Sequence, residues 1–150
     1  MPRISVSAHV DATPQEAYDY VEEHTNTVKY VHGLTSWTPV GDQVHGVGST
    51  FRAAMKVGPS TLEGTLRIIE ATAPERLAWA PTDGFQQSGA WTFTPAAGGG
   101  TDATFEVDVT LPGGVAGRVV GKTLEPAIRG NVTQSVRNLK EQVEALHPAG

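Results

Sequence analysis

The hydrophobic pattern of this chain changes its period near residue 115, and this change most constrains the fold. From about Val115 to Leu146, apolar residues recur every three or four positions, which predicts one long amphipathic helix. Its apolar face is formed by Leu124, Ile128, Val132, Val136, Leu139, Val143 and Leu146. Pro126 predicts a kink or a break in this helix, because proline lacks a backbone donor.

The chain before this helix shows short segments of period two, which are typical of half-buried strands. A first strand is predicted over 3–10, followed by a helix from Thr13 to about His24 and a short helical turn over 27–31. Thr13, Pro14 and Glu16 match the pattern of a capped helix start. Six more strands are predicted over 34–41, 49–57, 62–71, 76–80, 85–94 and 101–110. Glycine and proline between them favour antiparallel hairpins.

Composition excludes several classes of function. A chain of 150 residues suits one domain, and a net charge of -5 argues against nucleic acid or an anionic membrane as partner. Without cysteine there is no disulfide and no thiolate nucleophile. No apolar stretch is long enough for a signal peptide or stable membrane insertion, so we expect a cytoplasmic protein.

No cofactor is expected from the sequence. The five histidines (His9, His24, His32, His45 and His147) are scattered, with no close pair at zinc-ligand spacing. The Gly46-Val47-Gly48 segment precedes a predicted strand, whereas a phosphate cradle needs a helix N-terminus after its glycines. We therefore predict neither a metal nor a nucleotide cofactor.

Several local motifs lie at the ends of the predicted strands. They are GLTSW at 33–37 with PVG at 39–41, GVGSTFR at 46–52, GAWTFTP at 89–95 and LPGG at 111–114. Together with the element order they resemble the START-like SRPBCC superfamily, in its branch of polyketide cyclase/dehydrase and lipid transport proteins. The resemblance covers nearly the whole chain. It implies a single α+β domain over 1–150 with a helix-grip fold, in which a curved seven-stranded antiparallel sheet wraps around the long C-terminal helix and two short helices follow strand one.

This fold implies a cavity between the sheet and the long helix. Alternation of side chains along each strand then assigns the lining. The predicted ligand contacts are Phe51, Met55, Leu66, Trp79, Phe85, Gln87, Trp91, Phe93 and Phe105 from the strands, Leu124, Ile128 and Asn131 from the helix, and Tyr30 and His32 before the second strand. The facing of Trp37 stays open, because neither parity of its strand is cleanly apolar.

Two polar residues near the apolar face of the long helix are the candidate catalytic groups. Glu125 and Ser135 each lie roughly 40° from the centre of that face at 100° per residue. A carboxylate in an apolar setting is costly unless it is paired, which makes Glu125 the candidate acid, although Pro126 could turn it outward. Ser135 has an ordinary alternative, a hydrogen bond to the backbone carbonyl four residues earlier.

Three functions are compatible with these residues. We favour binding or transport of a small hydrophobic molecule, such as a lipid, a quinone or a polyketide-like compound, by a monomer or homodimer. The alternative is a polyketide cyclase, aromatase or dehydratase that uses acid and base groups of the cavity without a metal or nucleotide cofactor. The third is a protein-interaction module, which would have a filled core and an exposed apolar patch. The scarcity of polar groups in the predicted lining favours binding.

Overall fold

The structure is a computed structural model that describes residues 3–110 and 114–146, with the side chains of residues 110 and 114–124 outside this description. The elements in chain order are β1 (Arg3–Val10), α1 (Pro14–Glu22), a 3-10 turn (His24–Asn26), α2 (Thr27–Tyr30), β2 (Leu34–Pro39), β3 (Thr50–Val57), β4 (Ser60–Thr72), β5 (Arg76–Gly84), β6 (Gln86–Pro95), β7 (Thr101–Thr110) and α3 (Gly114–Glu144). The predicted α+β order of one strand, two short helices, six strands and a long helix is confirmed.

The strands form one seven-stranded antiparallel sheet in the order β1-β7-β6-β5-β4-β3-β2. Strands β2 to β7 follow each other as neighbours, and β1 pairs with β7 at the far edge. Helix α3 contacts β1 and β7 near one edge and also β3 near the other. Because one helix touches both sides, the sheet must curl around it, as the helix-grip fold requires.

Burial alternates along the strands with the predicted parity. The inward aromatic residues Phe51, Trp91 and Phe105 are each no more than 3% exposed. Arg52, placed on the outer face by its parity, is exposed and lies 3.0 Å from Asp83 in an ion pair. The apolar face of α3 completes the core with Ile128, Val132, Val136, Leu139 and Val143.

Strand β5 is longer than predicted, reaching Gly84 instead of residue 80. Its pairing with β6 ends at Trp79, whereas its pairing with β4 continues to Gly84. Pro81 therefore lies where β5 has only one strand neighbour, and its missing N–H removes no bond from the β5–β6 ladder. Pro81 was therefore wrongly taken as the end of this strand, which continues to Gly84.

The helices differ from the predictions at two points. Helix α1 begins with the predicted capping box, in which Thr13 and Glu16 bond to each other's backbone N–H, but it ends at Glu22 and a 3-10 turn follows. Helix α3 continues through Pro126 as one helix, so the break considered there is not observed. None of the helices in the described ranges combines the length and apolar character needed to cross a membrane.

Candidate functional site

A cavity of about 70 Å³ lies between the concave face of strands β2 to β7 and the segment that contains α1 and α2. Its phenylalanine, tyrosine and tryptophan lining residues are Tyr30, Trp37, Phe51, Trp79, Phe85, Trp91 and Phe105. We call it the main cavity. A cavity of ~150 Å³ is known to bind benzene, so the main cavity, which is smaller than that, takes even one small ring only if lining side chains move.

A second cavity of about 20 Å³ lies between the sheet and α3, where it contacts His32, Ile128, Asn131 and Ser135. The residues that line both cavities are Val31, Met55, Phe85, Gln87 and Phe105. These five form a common wall, and Met55 is its most adaptable member because its side chain is unbranched.

The position of the main cavity corrects the sequence-based expectation of a hollow beneath the long helix. No α3 residue with a described side chain lines the main cavity. Under the part of α3 whose side chains are described, the gap is mostly filled because Ile128, Val132, Val136, Leu139 and Val143 pack into the core. The roof of the main cavity is provided instead by Val21, Tyr30 and other residues of the α1–α2 segment.

Most predicted ligand contacts lie at one of the two cavities. The main cavity is lined by Tyr30, Phe51, Met55, Leu66, Trp79, Phe85, Gln87, Trp91 and Phe105, and the second cavity by His32, Ile128 and Asn131. Phe93 lines neither, because it is buried in the core against Trp91, with ring centroids 5.8 Å apart. The side chain of Leu124 lies outside the described residues.

Trp37, whose facing was left open, lies on the main cavity. Its ring stacks on Phe51 with centroids 4.7 Å apart and an interplanar angle of 13°. Strand β2 has a register shift between Leu34 and Ser36. This bulge lets Leu34 and Trp37, three positions apart, both face the cavity. The irregularity explains why neither parity of this strand was cleanly apolar.

Gly89 allows Trp79 to lie close against β6. Trp79 and Gly89 are register partners. A Cβ atom at residue 89 would lie 2.7 Å from Trp79 Cζ2 and 2.7 Å from the Glu106 carbonyl oxygen. A glycine in mid-strand is therefore the sequence signal for this close approach, and it leaves the indole ring beside Phe105 on the cavity wall.

Tyr30 brings a phenol to the roof of the main cavity, where it is 3% exposed. Its ring meets Trp91 edge-on, with centroids 6.0 Å apart. Burial raises the pKa of Tyr30 well above its ordinary value, and hydrogen bonds with the side chains of Trp91 and Thr27 offset this rise only in part. The phenol therefore stays neutral at ordinary pH and acts as a hydrogen-bonding group.

The loop between β2 and β3, residues 40–49, closes one side of the main cavity through Val44. Glu22, which also lines the cavity, holds this loop. Its Oε1 atom lies 2.8 Å from Nδ1 of His45 and accepts a hydrogen bond from the Gly46 N–H at 3.2 Å. Sequence reasoning missed this contact because nothing local links residues so far apart in the chain.

The two candidate catalytic residues are not brought together. Ser135 is buried, and its Oγ donates to the Asn131 carbonyl at 2.6 Å while accepting from the His32 N–H at 2.8 Å. Glu125 is 42% exposed, lies 3.4 Å from Arg129 and lines neither cavity. Ten residues of helix separate them by roughly 15 Å. Glu125 is thus ion-paired near solvent instead of lying in the apolar setting that suggested a catalytic acid.

Few polar groups remain without a partner at the main cavity. The indole nitrogens of Trp37 and Trp79 are buried and have no hydrogen-bond partner. Gln87 lies on the common wall, and its side-chain amide makes no hydrogen bond with any described residue. Within the described residues, no group of three or more His, Asp and Glu side chains is suited to hold a metal ion.

Comparison with known families places almost the whole chain in one group. A sequence model of the family described as polyketide cyclase/dehydrase and lipid transport matches residues 1–144. The resemblance inferred from the motifs is therefore confirmed. No curated protein matches the chain in sequence.

Solved structures of the same fold include proteins with little sequence similarity. TTHA0849 from Thermus thermophilus superposes with a TM-score of 0.83 at 19% identity, covering 97% of this chain and 99% of that one. The Zhui aromatase/cyclase from Streptomyces sp. R1128 gives 0.81 at 13% identity, with 99% and 98% covered. The di-domain aromatase/cyclase StfQ from the steffimycin biosynthetic pathway gives 0.71 at 14% identity, with 98% of this chain and 52% of that one covered. At these identities the likeness establishes the helix-grip fold alone.

Proposed function

Because the chain belongs to the polyketide cyclase/dehydrase and lipid transport family, we propose that it binds a small, ring-containing apolar molecule in the main cavity. The observation that carries this proposal is the aromatic lining of that cavity, with the stacked pairs Trp37–Phe51 and Trp91–Phe105 among its walls. Protein interiors are normally filled to crystal-like density. An apolar cavity with few polar groups is the usual form of a small-molecule site.

The size of the cavity limits the affinity for a single ring. Burial of about 200 Å² at about 25 cal/mol/Å² contributes about 5 kcal/mol before the cost of association. Even before that cost is subtracted, this amount corresponds to a Kd of about 0.2 mM, so a single ring binds in the millimolar range or more weakly. A ligand of two or three rings gains more by displacing Met55 and extending past the common wall toward Ile128 in the second cavity.

The proposal is tested by filling the cavity from its floor. Ala53 lines the main cavity, whereas the neighbouring Ala54 lies on the other side of β3 and does not line it. We expect Ala53→Leu to abolish binding of naphthalene-sized compounds, measured by isothermal titration or native mass spectrometry. Ala54→Leu is the matched control and should bind as the wild type does. Equal binding by both variants, or no binding of any apolar ring compound by the wild type, would contradict the proposal.

A second candidate function is cyclisation, aromatisation or dehydration of a polyketide-type substrate. The observation that favours it is the presence of titratable groups at the main cavity, namely Glu22, His24 and Tyr30, in a fold also used by the Zhui aromatase/cyclase. Such a reaction needs a positioned proton donor and acceptor. These three residues replace Glu125 and Ser135 as its candidate acid and base groups.

The cyclase candidate is tested with a short linear poly-β-ketone whose aromatic product absorbs in the near ultraviolet. Product formation should depend on protein and fall at least tenfold in Glu22→Gln or Tyr30→Phe. The same rate in Glu125→Gln as in wild type is expected. Product formation at the rate of the protein-free solution would remove this candidate and leave the binding proposal standing.

A further inference from the structure

The main cavity combines aromatic walls with a single carboxylate. Among the described residues that line it, Glu22 is the only acidic one, and neither lysine nor arginine occurs there. The side chain of Glu22 is 20% exposed, so its charge lies largely out of water. A carboxylate removed from water is costly unless it is paired. The charge of Glu22 within an aromatic lining therefore requires an explanation.

The two carboxylate oxygens of Glu22 have different surroundings. Oε1 lies 2.8 Å from Nδ1 of His45 and accepts a hydrogen bond from the Gly46 N–H at 3.2 Å. Oε2 has no hydrogen bond or ion pair with any described residue. It is not one of the buried side-chain atoms that lack a partner, and because Glu22 is only partly exposed, Oε2 must itself keep accessible surface. One oxygen holds the loop over residues 40–49, and the other is open to a partner.

Helix α1 adds negative potential at this point. Glu22 is the last residue of α1 and Glu23 is its C-cap, and the last turn of this helix, all of it within the described residues, contains no basic residue. The C-terminal end of a helix carries a partial negative charge, which favours cations there. Two adjacent carboxylates at this end run against that preference, and such departures from a local rule are typical of functional sites. A bound cation would compensate the helix end and the carboxylates together.

Aromatic rings continue from this carboxylate along the cavity wall. His24 follows Glu22 by two residues and stacks on Phe51 with ring centroids 5.8 Å apart, and Phe51 in turn stacks on Trp37. All four residues line the main cavity. The faces of tryptophan and phenylalanine rings attract an ammonium group, and the attraction grows when water is excluded. The wall therefore offers both a counter-charge and ring faces to a cation that leaves water.

We propose that the ligand of the main cavity carries an ammonium group that pairs with Oε2 of Glu22 beside the rings of Phe51 and Trp37, while its apolar ring fills the rest of the cavity. This inference rests on the proposed binding function and names the charge of the ligand of the same site. The main cavity then selects ring-bearing amines over neutral and anionic molecules of the same shape.

The test compares four bicyclic probes, namely 2-naphthylmethylamine, 2-naphthylmethanol, naphthalene and 2-naphthoate. The amine and the alcohol have the same number of heavy atoms and both donate hydrogen bonds, so charge is their main difference. Isothermal titration at pH 8 keeps an alkylammonium charged and a free imidazole neutral. We expect wild type to bind the amine at least about tenfold more tightly than the alcohol or naphthalene, and 2-naphthoate most weakly.

A matched pair of variants assigns the preference to one carboxylate. Glu22→Gln removes the charge but keeps the shape of the side chain and an oxygen acceptor for the Gly46 N–H. We expect its preference for the amine over the alcohol to fall below about twofold. Asp19→Asn removes the same charge from an exposed residue of α1 that does not line the main cavity, and it should keep the preference of wild type. Equal preferences in the two variants would overturn the assignment to Glu22.

A measurement on the unaltered protein keeps the test valid if Glu22→Gln fails to fold. The side-chain carboxyl ¹³C signal of Glu22 should shift on addition of 2-naphthylmethylamine and stay in place with 2-naphthylmethanol. The corresponding signal of Asp19 should stay in place with both probes. An amine that binds without moving the Glu22 signal would overturn the proposed pairing.

The outcomes separate this inference from the proposed function. If the amine, the alcohol and naphthalene bind wild type within twofold of one another, or if 2-naphthoate binds as tightly as the amine, the cavity binds ring compounds but the preference for a cation is overturned. If none of the four probes binds wild type at millimolar concentration, the proposed function and this inference both fail.

Discussion

The backbone N–H of His32 donates a hydrogen bond to Oγ of Ser135 at 2.8 Å, which fastens the chain after α2 to the middle of α3. The same hydroxyl donates to the Asn131 carbonyl at 2.6 Å. Asn131 in turn donates from Nδ2 to the Lys56 carbonyl of β3 at 3.0 Å. One turn of α3 thus joins the chain after α2 to the sheet. The hydroxyl hydrogen of Ser135 is already used in the hydrogen bond to Asn131.

We predict that Ser135→Ala lowers the free energy of unfolding by about 1 kcal/mol, because it removes the acceptor of the partly buried His32 N–H. Denaturant unfolding measures this loss. Ser5→Ala, at an exposed position of β1, is the control and should change stability by less than about 0.5 kcal/mol. An unchanged stability for Ser135→Ala would show that the hydrogen bond between His32 and Ser135 does not stabilise the fold.

A pair of glycine substitutions should have opposite effects. In Gly89→Ala the new methyl group would meet Trp79 and the Glu106 backbone oxygen at 2.7 Å, so we expect a loss of about 1–3 kcal/mol and a displaced indole. In Gly130→Ala the methyl group meets nothing within 4 Å, and alanine favours the helix by about 0.5–1 kcal/mol. Thermal unfolding and tryptophan fluorescence measure both. Equal effects of the two changes would contradict the close approach of Trp79 to β6.

The loop over residues 40–49 should open when its anchor is removed. Glu22→Ala deletes the acceptor of the Gly46 N–H and the partner of His45. We expect the Gly46 amide to exchange with solvent about tenfold faster, and a bound naphthalene-sized compound to dissociate faster in stopped-flow displacement. Asp42→Ala removes the same charge from an exposed position of the loop and should alter neither rate. If both variants raise the two rates equally, the charge and not the contact controls the loop, and if Glu22→Ala raises neither rate, the contact does not hold the loop.

The raised pKa of Tyr30 makes the free energy of unfolding depend on pH in the alkaline range. Its pKa in the folded protein is raised above the unfolded value of about 10, so the folded state holds this proton more tightly. The corresponding stability is fully present below about pH 10 and is lost as pH rises toward the raised pKa.

We therefore expect wild type to lose stability above about pH 10 more steeply than Tyr30→Phe does. At pH 7 the variant should be less stable by about 1–3 kcal/mol, because the hydrogen bonds of Tyr30 with Trp91 and Thr27 are lost. The difference between the two proteins should shrink from pH 9 to pH 11 in denaturant unfolding. A difference that stays constant over this range would mean that Tyr30 ionises equally in the folded and unfolded protein.

The element order could be read from the sequence because its signals are local. The change from period two to period 3.6 locates α3, and the capping residues Thr13 and Glu16 locate the start of α1. Strand parity also assigned the inward side of Phe51, Trp91 and Phe105. These patterns follow from the geometry of one helix or one strand, and they need no knowledge of neighbours.

The candidate site was harder to predict because it depends on contacts between distant residues. The bulge in β2 that turns Trp37 inward arises from its register with β3. The end of β5 depends on which neighbour continues beside Pro81. The position of the main cavity depends on how completely side chains such as Leu139 fill the space under α3. The hydrophobic periodicity of the sequence carries no information about this volume.

Strands β1 and β2 are consecutive strands of the chain but occupy opposite edges of the sheet. Residues 11–33 therefore run from one edge of the sheet to the other, and on the way they cover the main cavity. The hairpins beneath are continuous from β2 to β7 and do not depend on this strap for their pairing. Changes of length or composition in residues 11–33 can consequently reshape the main cavity while the sheet beneath keeps its register.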